Sequence, residues 1–592
     1  MKLSHSLTRY ALTAITLATL AVNLGCTKKS ASKENVINQA ITANLKGMDP
    51  IFASDLYSNT VVANIFEPLF QYHYLKRPLE LEPLVAASMP SVSKDGLVHT
   101  IKIKKGVKFQ DHEAFPEGKG RDLVAKDFIY SWKRLADPKN QSDGFWIFDG
   151  KIKGLNEWRD KMAKGEASYE DSIEGLQAPD DETLVITLLK PYFQLYYVLA
   201  MPYSAPVPKE VVEKYGKEFI NNPIGTGPYK LDSWTRNAKV VLIKNPNWHG
   251  GKYPTEGEPE DEARGLLADA GKDLPFADKL VYFEIVEDQP RWLNFMKGQL
   301  DLLPIPKDNF DSTIKDGALS EEMVKKGIRL EVSEEPDVTY TAFNMLDPIL
   351  GKNVELRRAI AMATDTNTLL EKFYNGRGVS AHSPIPPGVD GYDKDFVNPY
   401  KEFSIEKAKE HLKKAGYPDG KGLPVLEFAT TNSTTARQMA EFTQQNLAAV
   451  GIKIKINATS WPQFTDKIRE KKAQMWGIAW GADYPDAENF LQLLYGPNSS
   501  PGPNGSNYKN KAFDELYEKA LKLPPGPERT ALYKKMKDIY VQDLPWITNI
   551  HRKGYWLFHG WLKNYKRHAI INGESKYLRI DLDKKAELSE KL

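Results

Sequence analysis

The stretch Trp476–Leu491 reads WGIAWGADYPDAENFL. Trp476, Ile478 and Trp480 alternate with small residues, the period-two pattern of a strand with one bulky face. Gly481 ends that pattern, and Ala482-Asp483-Tyr484-Pro485-Asp486 follows as a turn, because proline fixes φ and aspartate can bond its own backbone. The residues from Ala487 to Leu494 are predicted to be helical. Asp483 and Asp486 therefore lie on a loop between aromatic rings, at the end of a buried strand. Rings around one carboxylate suit an organic ligand carrying a positive charge, such as a peptide α-amino group. The same residues equally describe a buried strand end with Asp486 capping the helix.

Working outward, the chain of 592 residues predicts three or four domains at ~150 residues each. Apolar content of 41% with 27% charged residues is that of a soluble globular protein. The 80 basic and 78 acidic residues nearly cancel, which excludes a general field for nucleic acid or an acidic membrane. Lys2 and Arg9 flank an apolar run from Tyr10 to Leu24 that is too short to span a bilayer. The run ends at Gly25-Cys26, and Cys26 is the only cysteine. This arrangement resembles a bacterial lipoprotein processing site, which implies export, a lipid anchor on Cys26 and a core stabilised without disulfides.

Downstream, LVHTIKIK at residues 97–104 alternates as a strand, and Asp127 to Leu135 is predicted to be a helix stopped by Asp137-Pro138. Residues 139–175 read as an irregular surface elaboration. Gly225 and Gly227 complete neither a Gly-x-Gly-x-x-Gly nor a Walker pattern, and Pro228 removes an amide that a phosphate cradle needs, so nucleotide binding is excluded there. Beyond residue 278, strands alternate with helices, which argues for α/β domains with mixed sheets. There is no Gly-x-Ser-x-Gly, no His-Glu-x-x-His and no cysteine pair, so no enzyme and no metal or other cofactor is expected.

Several segments together carry a resemblance. They are MDPIFASDLYSNTVVANIFEPLF, VSKDGLVHTIKIKKGVKFQD, LVAKDFIYSWKRLADP, NPIGTGPYKLDSW with KNPNW, FNMLDPILGKNVELRRAIAMATD and WGADYPDAENFL, in that order. The chain resembles the family 5 extracellular solute-binding proteins, the peptide- and oligopeptide-binding components of bacterial ABC importers. The resemblance covers nearly all of the chain after Cys26. Two segments depart from it, DHEAFPEGKGRD and an acidic insert at residues 250–277, and the insert is expected to be solvated surface.

The resemblance implies a two-lobed α/β periplasmic-binding-protein fold (type II, cluster C-like), with an extra domain on the first lobe and a hinged ligand cleft. It implies a signal peptide over 1–25, a first lobe built from 26–80, 205–335 and 549–592, an extra domain over 81–204 and a second large lobe over 336–548. The aspartate of the family's Trp-x-x-Asp-Tyr segment, which pairs with a ligand ammonium, falls on Asp483, with Tyr484 beside it. Trp480 and Trp461 fall on ring positions that wall the side-chain pockets. Columns where a basic residue receives the ligand carboxylate hold Gly477 and Ala436, and Arg437 and Arg469 lie near enough to substitute. The implied partners are a peptide, permease subunits with a cytoplasmic ATPase, and a membrane reached through the lipid anchor. No nucleic acid is expected, and the protein is expected to be a monomer in the periplasm or cell envelope. A non-peptide solute (sugar, metal chelate, haem or opine) and a peptide-binding sensor or chaperone remain as alternatives.

Overall fold

A computed structural model of the chain describes residues 34–570 and 573–592. The apolar run and Cys26 lie outside the described residues. Three principal sheets organise the rest. In the first lobe, Val36–Ile41, Lys279–Glu284, Lys239–Lys244 and Tyr229–Thr235 lie side by side, the first pair parallel and the others antiparallel. The accessory domain carries a four-stranded antiparallel sheet ordered Ser91–Val92, Val98–Lys102, Thr183–Thr187, Leu176–Asp180. The helix Ala125–Ala136 buries Phe128, Trp132 and Leu135 at helical spacing. Asp127 accepts the Val124 amide and so fixes where that helix starts.

The third sheet has eight strands and spans both lobes. Its spine is the strand Trp546–His559. One end of this strand pairs with Ile328–Glu334 and Leu302–Pro304 of the first lobe. Its other end pairs with Asp337–Phe343, followed outward by Met475–Gly481, Leu426–Thr431 and Ile454–Thr459. All seven residues of Asp337–Phe343 are buried, as a central strand covered on both faces requires. The chain therefore crosses between lobes at Glu335-Pro336 and again along Trp546–His559. Two ion pairs brace these crossings. Arg552 bonds Asp337, with Nε 2.6 Å from Oδ2, and Arg567 bonds Glu335 through Nη2 at 2.9 Å.

The accessory domain and the first lobe share one apolar core, in which Val61, Phe66 and Phe70 pack in the same cluster as Phe128, Trp132 and Ile186. Two further clusters lie mainly in the second lobe, centred on Trp476, Phe490 and Tyr533 and on Phe343, Ile360 and Met475. Tyr72 of the first lobe joins the former, and Tyr484 of the second lobe joins the shared core, so apolar contact also runs between the lobes.

Two expectations about surface segments are corrected. Residues 139–175 include the helix Leu155–Lys164, and Ile147, Phe148, Ile152 and Leu155 are buried in the shared core. The acidic insert at 250–277 is docked by charge. Lys566 reaches Glu258 at 2.5 Å and Asp261 at 2.8 Å, Arg579 reaches Asp269 at 2.9 Å, and both aspartates are buried. Acidic composition looks solvated until its cations arrive from residues 566 and 579, far along the chain.

Candidate functional site

Between the lobes lies a cleft of about 900 Å³. The strand Met475–Gly481 forms part of its wall, and the turn after it carries Asp483 to the lining. Asn489 fixes that turn three times over. Its Oδ1 accepts the Asp483 amide at 2.9 Å and the Trp480 indole N–H at 3.0 Å, while its Nδ2 donates to Asp483 Oδ2 at 2.9 Å. Asn489 is fully buried, so both the carboxylate and the ring are held in place by a side chain that cannot move.

No cation among the described residues offsets the charge of Asp483. Loss of solvation pushes its pKa up to about 6, against the lowering effect of the Asn489 hydrogen bond, and the negative charge of Glu488 adds to the rise. Asp486, three residues on, is different. It accepts from Arg529 at 2.8 Å, from Tyr533 at 3.1 Å and from Gln194 of the accessory domain at 3.2 Å, and it takes the Glu488 amide at 3.0 Å. Its charge is spent inside the protein, and the cap position of the following helix Glu488–Leu491 falls on Ala487 and not on Asp486 as expected. Asp483 alone of the two faces the cleft with its charge unmatched.

The structure brings Asp483, Trp480, Trp461 and Arg469 to the cleft lining. Trp461 opens the helix Trp461–Arg469 and meets the ring of Tyr57, from the first lobe, edge-on at 5.3 Å. Arg469 ends the same helix and reaches Asp466 at 3.4 Å. Tyr484 and Arg437 are not brought there. The Tyr484 ring is fully buried and stacks on Tyr197 of the accessory domain at 5.7 Å, while its hydroxyl donates to Glu488 at 2.6 Å. Arg437 is exposed on the helix Thr434–Ala448, whose cleft-lining residues at that turn are Thr435 and Ala436. Adjacent residues on a helix point about 100° apart, which separates them.

Lining residues not anticipated from the sequence include Tyr57, Tyr72, Asp288, Arg291, Arg552 and Asn549. They come from four distant segments, and only the fold collects them. Asn549 had a local trace in the structure alone. Strand pairing shifts register between Thr339 and Tyr340, leaving Asn549 as an extra residue in the crossing strand, and such bulges turn a side chain toward a site. Among the described residues no group of three or more His, Cys, Asp or Glu is placed to hold a metal ion, and no helix is long and apolar enough to cross a membrane.

With this geometry in view, comparison with known proteins is informative. The family described as "Bacterial extracellular solute-binding proteins, family 5 Middle" matches residues 80–502. A glutathione-binding protein GsiB from Escherichia coli O1:K1 is 29% identical over 534 residues, covering 88% of this chain and 90% of that protein. Among solved structures, the periplasmic binding protein DppA from Helicobacter pylori, in complex with the peptide STSA, has a TM-score of 0.76 at 26% identity, over 92% of this chain and 98% of that one. OppA from Burkholderia pseudomallei shares the fold, with a TM-score of 0.77 at 22% identity over 93% and 99% of the two chains. A two-lobed α/β architecture with a cleft at the crossing strands, and a family match over most of its length, make this chain a member of the bacterial extracellular solute-binding proteins, family 5.

Proposed function

We propose that the protein captures short peptides in the interlobe cleft and hands them to the permease of an ABC importer, releasing them chemically unchanged. The observation that carries this reading is Asp483, a carboxylate in the cleft wall, oriented by Asn489 and lacking a cation. A peptide α-ammonium supplies that missing charge. Backbone hydrogen bonds along an extended ligand then tolerate varied side chains. Glutathione, which one relative is named for binding, is a tripeptide with the same ammonium group, so the reading covers it. Export and anchoring through Cys26 belong to the same proposal, because a tethered binding protein stays near its permease. No catalytic step is assigned.

Native mass spectrometry of protein purified from cells, with denaturing analysis of what leaves it, tests the proposal. A ladder of peptides, absent from an Asp483→Ala variant and not rebound when α-N-acetylated, supports it. Removal of the carboxylate leaves the ammonium buried without a partner, which costs ~2–5 kcal/mol of binding. A single non-peptide mass retained by Asp483→Ala overturns the peptide assignment and leaves the family membership intact.

A further inference from the structure

Among contacts that join the two lobes, one is built from charge and a helix end. The helix Thr434–Ala448 of the second lobe starts at the cleft rim, where its first amides have no partner within the helix. Ser433 Oγ takes the Ala436 amide at 3.2 Å. The Thr434 amide is taken instead by the first lobe, with both carboxylate oxygens of Glu287 at 3.2 Å. Beside it, the Thr435 hydroxyl donates to Asp288 Oδ2 at 2.6 Å. These residues are separated by 147 positions in the chain.

The first-lobe half of this contact is bonded within its own lobe. Asp288 is gripped by the buried Arg291, whose Nη1 also donates to the carbonyls of Ile285 and Val286 at 2.7 and 2.6 Å. The second-lobe half is the end of a fifteen-residue helix, whose macrodipole favours an acid at that place. Two pre-set surfaces of complementary charge therefore meet only when the cleft is shut.

We infer that Glu287 and Asp288 are positioning residues for ligand capture: they cap the helix Thr434–Ala448 across the cleft and hold the lobes closed independently of what the cleft contains. This rests on the peptide-capture reading for its consequence, since apparent affinity scales with the fraction of protein in the binding-competent closed state. The latch raises affinity for all ligands by one common factor and slows their release. It contributes nothing to the choice among them.

The test compares the wild type with Glu287→Ala, Thr435→Val and the double variant. Thr435→Val removes the hydroxyl while leaving the Asp288–Arg291 pair untouched. X-ray scattering of ligand-free protein should show a larger radius of gyration in the variants, and the difference should vanish at saturating ligand. Titration with two unrelated probes, trialanine and the tripeptide Lys-Phe-Lys, should show Kd raised by the same factor for both, about three- to tenfold in the double variant, with the change in the dissociation rate. Wild-type scattering that already matches an open molecule overturns the inference. So does an unchanged radius, or a loss that differs between the two probes, which would make these side chains ligand contacts. If neither probe binds the wild type, the functional reading fails while the scattering still decides the latch.

Discussion

Asp483 and Asp486 lie three positions apart, and their partners differ in kind: an amide holds the first, a buried arginine the second. The difference is measurable. Burial raises the Asp483 pKa from 3.8 to about 6, so the protonated form is favoured by folding. The stability this group contributes is complete below its unfolded pKa and is lost as pH rises through about 6. Asp483→Asn, which keeps an acceptor for Asn489, should therefore stabilise the ligand-free protein at pH 7.5 by up to ~2 kcal/mol while abolishing peptide binding, as thermal unfolding and calorimetry would show. Peptide affinity of the wild type should fall roughly tenfold between pH 7 and pH 5, because a neutral carboxyl cannot match an ammonium. Asp486→Ala should instead destabilise by ~3–5 kcal/mol, since it leaves Arg529 buried without its carboxylate. At this scale the sequence located the loop and its two acids, because strand, proline and turn are local signals. Family resemblance singled out Asp483, but the local pattern did not tell which acid was free, since Arg529 and Tyr533 lie more than forty positions away. Tyr484 shows a related effect: the ring next to Asp483 in sequence points away from the cleft, into Tyr197.

Among the elements, the segment NPIGTGPY shows what a glycine pair is for when it binds no phosphate. A Cβ on Gly225 would lie 2.1 Å from the Ile65 carbonyl oxygen, and one on Gly227 would lie 2.6 Å from that of Asn64. The segment is pressed against the end of the helix Leu56–Ile65, backbone on backbone, and has no slack. Gly225→Ala should cost ~1–3 kcal/mol, read as a lower denaturant midpoint, with no new affinity for nucleotides. The acidic insert makes the complementary point. Its composition is that of a solvated loop, yet Asp261 finds Lys566 at a separation of 305 positions. Lys566→Met should destabilise by ~3–5 kcal/mol because Asp261 is left charged and dry, whereas Arg264→Ala, which loses a partly exposed pair with Glu331, should cost less than ~1 kcal/mol. Periodicity revealed strands such as Met475–Gly481 and helices such as Ala125–Ala136 within a residue or two. It carried no information about which charged segments fold back onto the core.

For the molecule as a whole, the alternation of strands and helices announced α/β domains, and both the two lobes and a chain that returns late to the first were expected from family resemblance. What no stretch announced was the division of the core. The first lobe and accessory domain are continuous through residues such as Phe66 and Trp132, while most apolar side chains of the second lobe gather in two other clusters, one of which Tyr72 of the first lobe joins.

The crossing strands have one more consequence. The chain enters the second lobe at Asp337 and leaves it at Arg552, and the Arg552 amide donates to Asp337 Oδ1 at 3.1 Å. Thr339 and Ile550 are paired partners. Entry and exit are thus one hydrogen bond apart, and the whole second lobe is topologically a cassette plugged into a hairpin. Expressed alone, residues 337–550 should unfold in one cooperative transition, because joining ends that already touch removes little chain entropy. The remainder, closed by a short turn between Glu335 and Lys553, should keep the shared core, as near-ultraviolet circular dichroism would register. A gene encoding such a protein can exchange one jaw of its trap by a single insertion event, and so can an engineer who wants the same jaw to meet a different ligand.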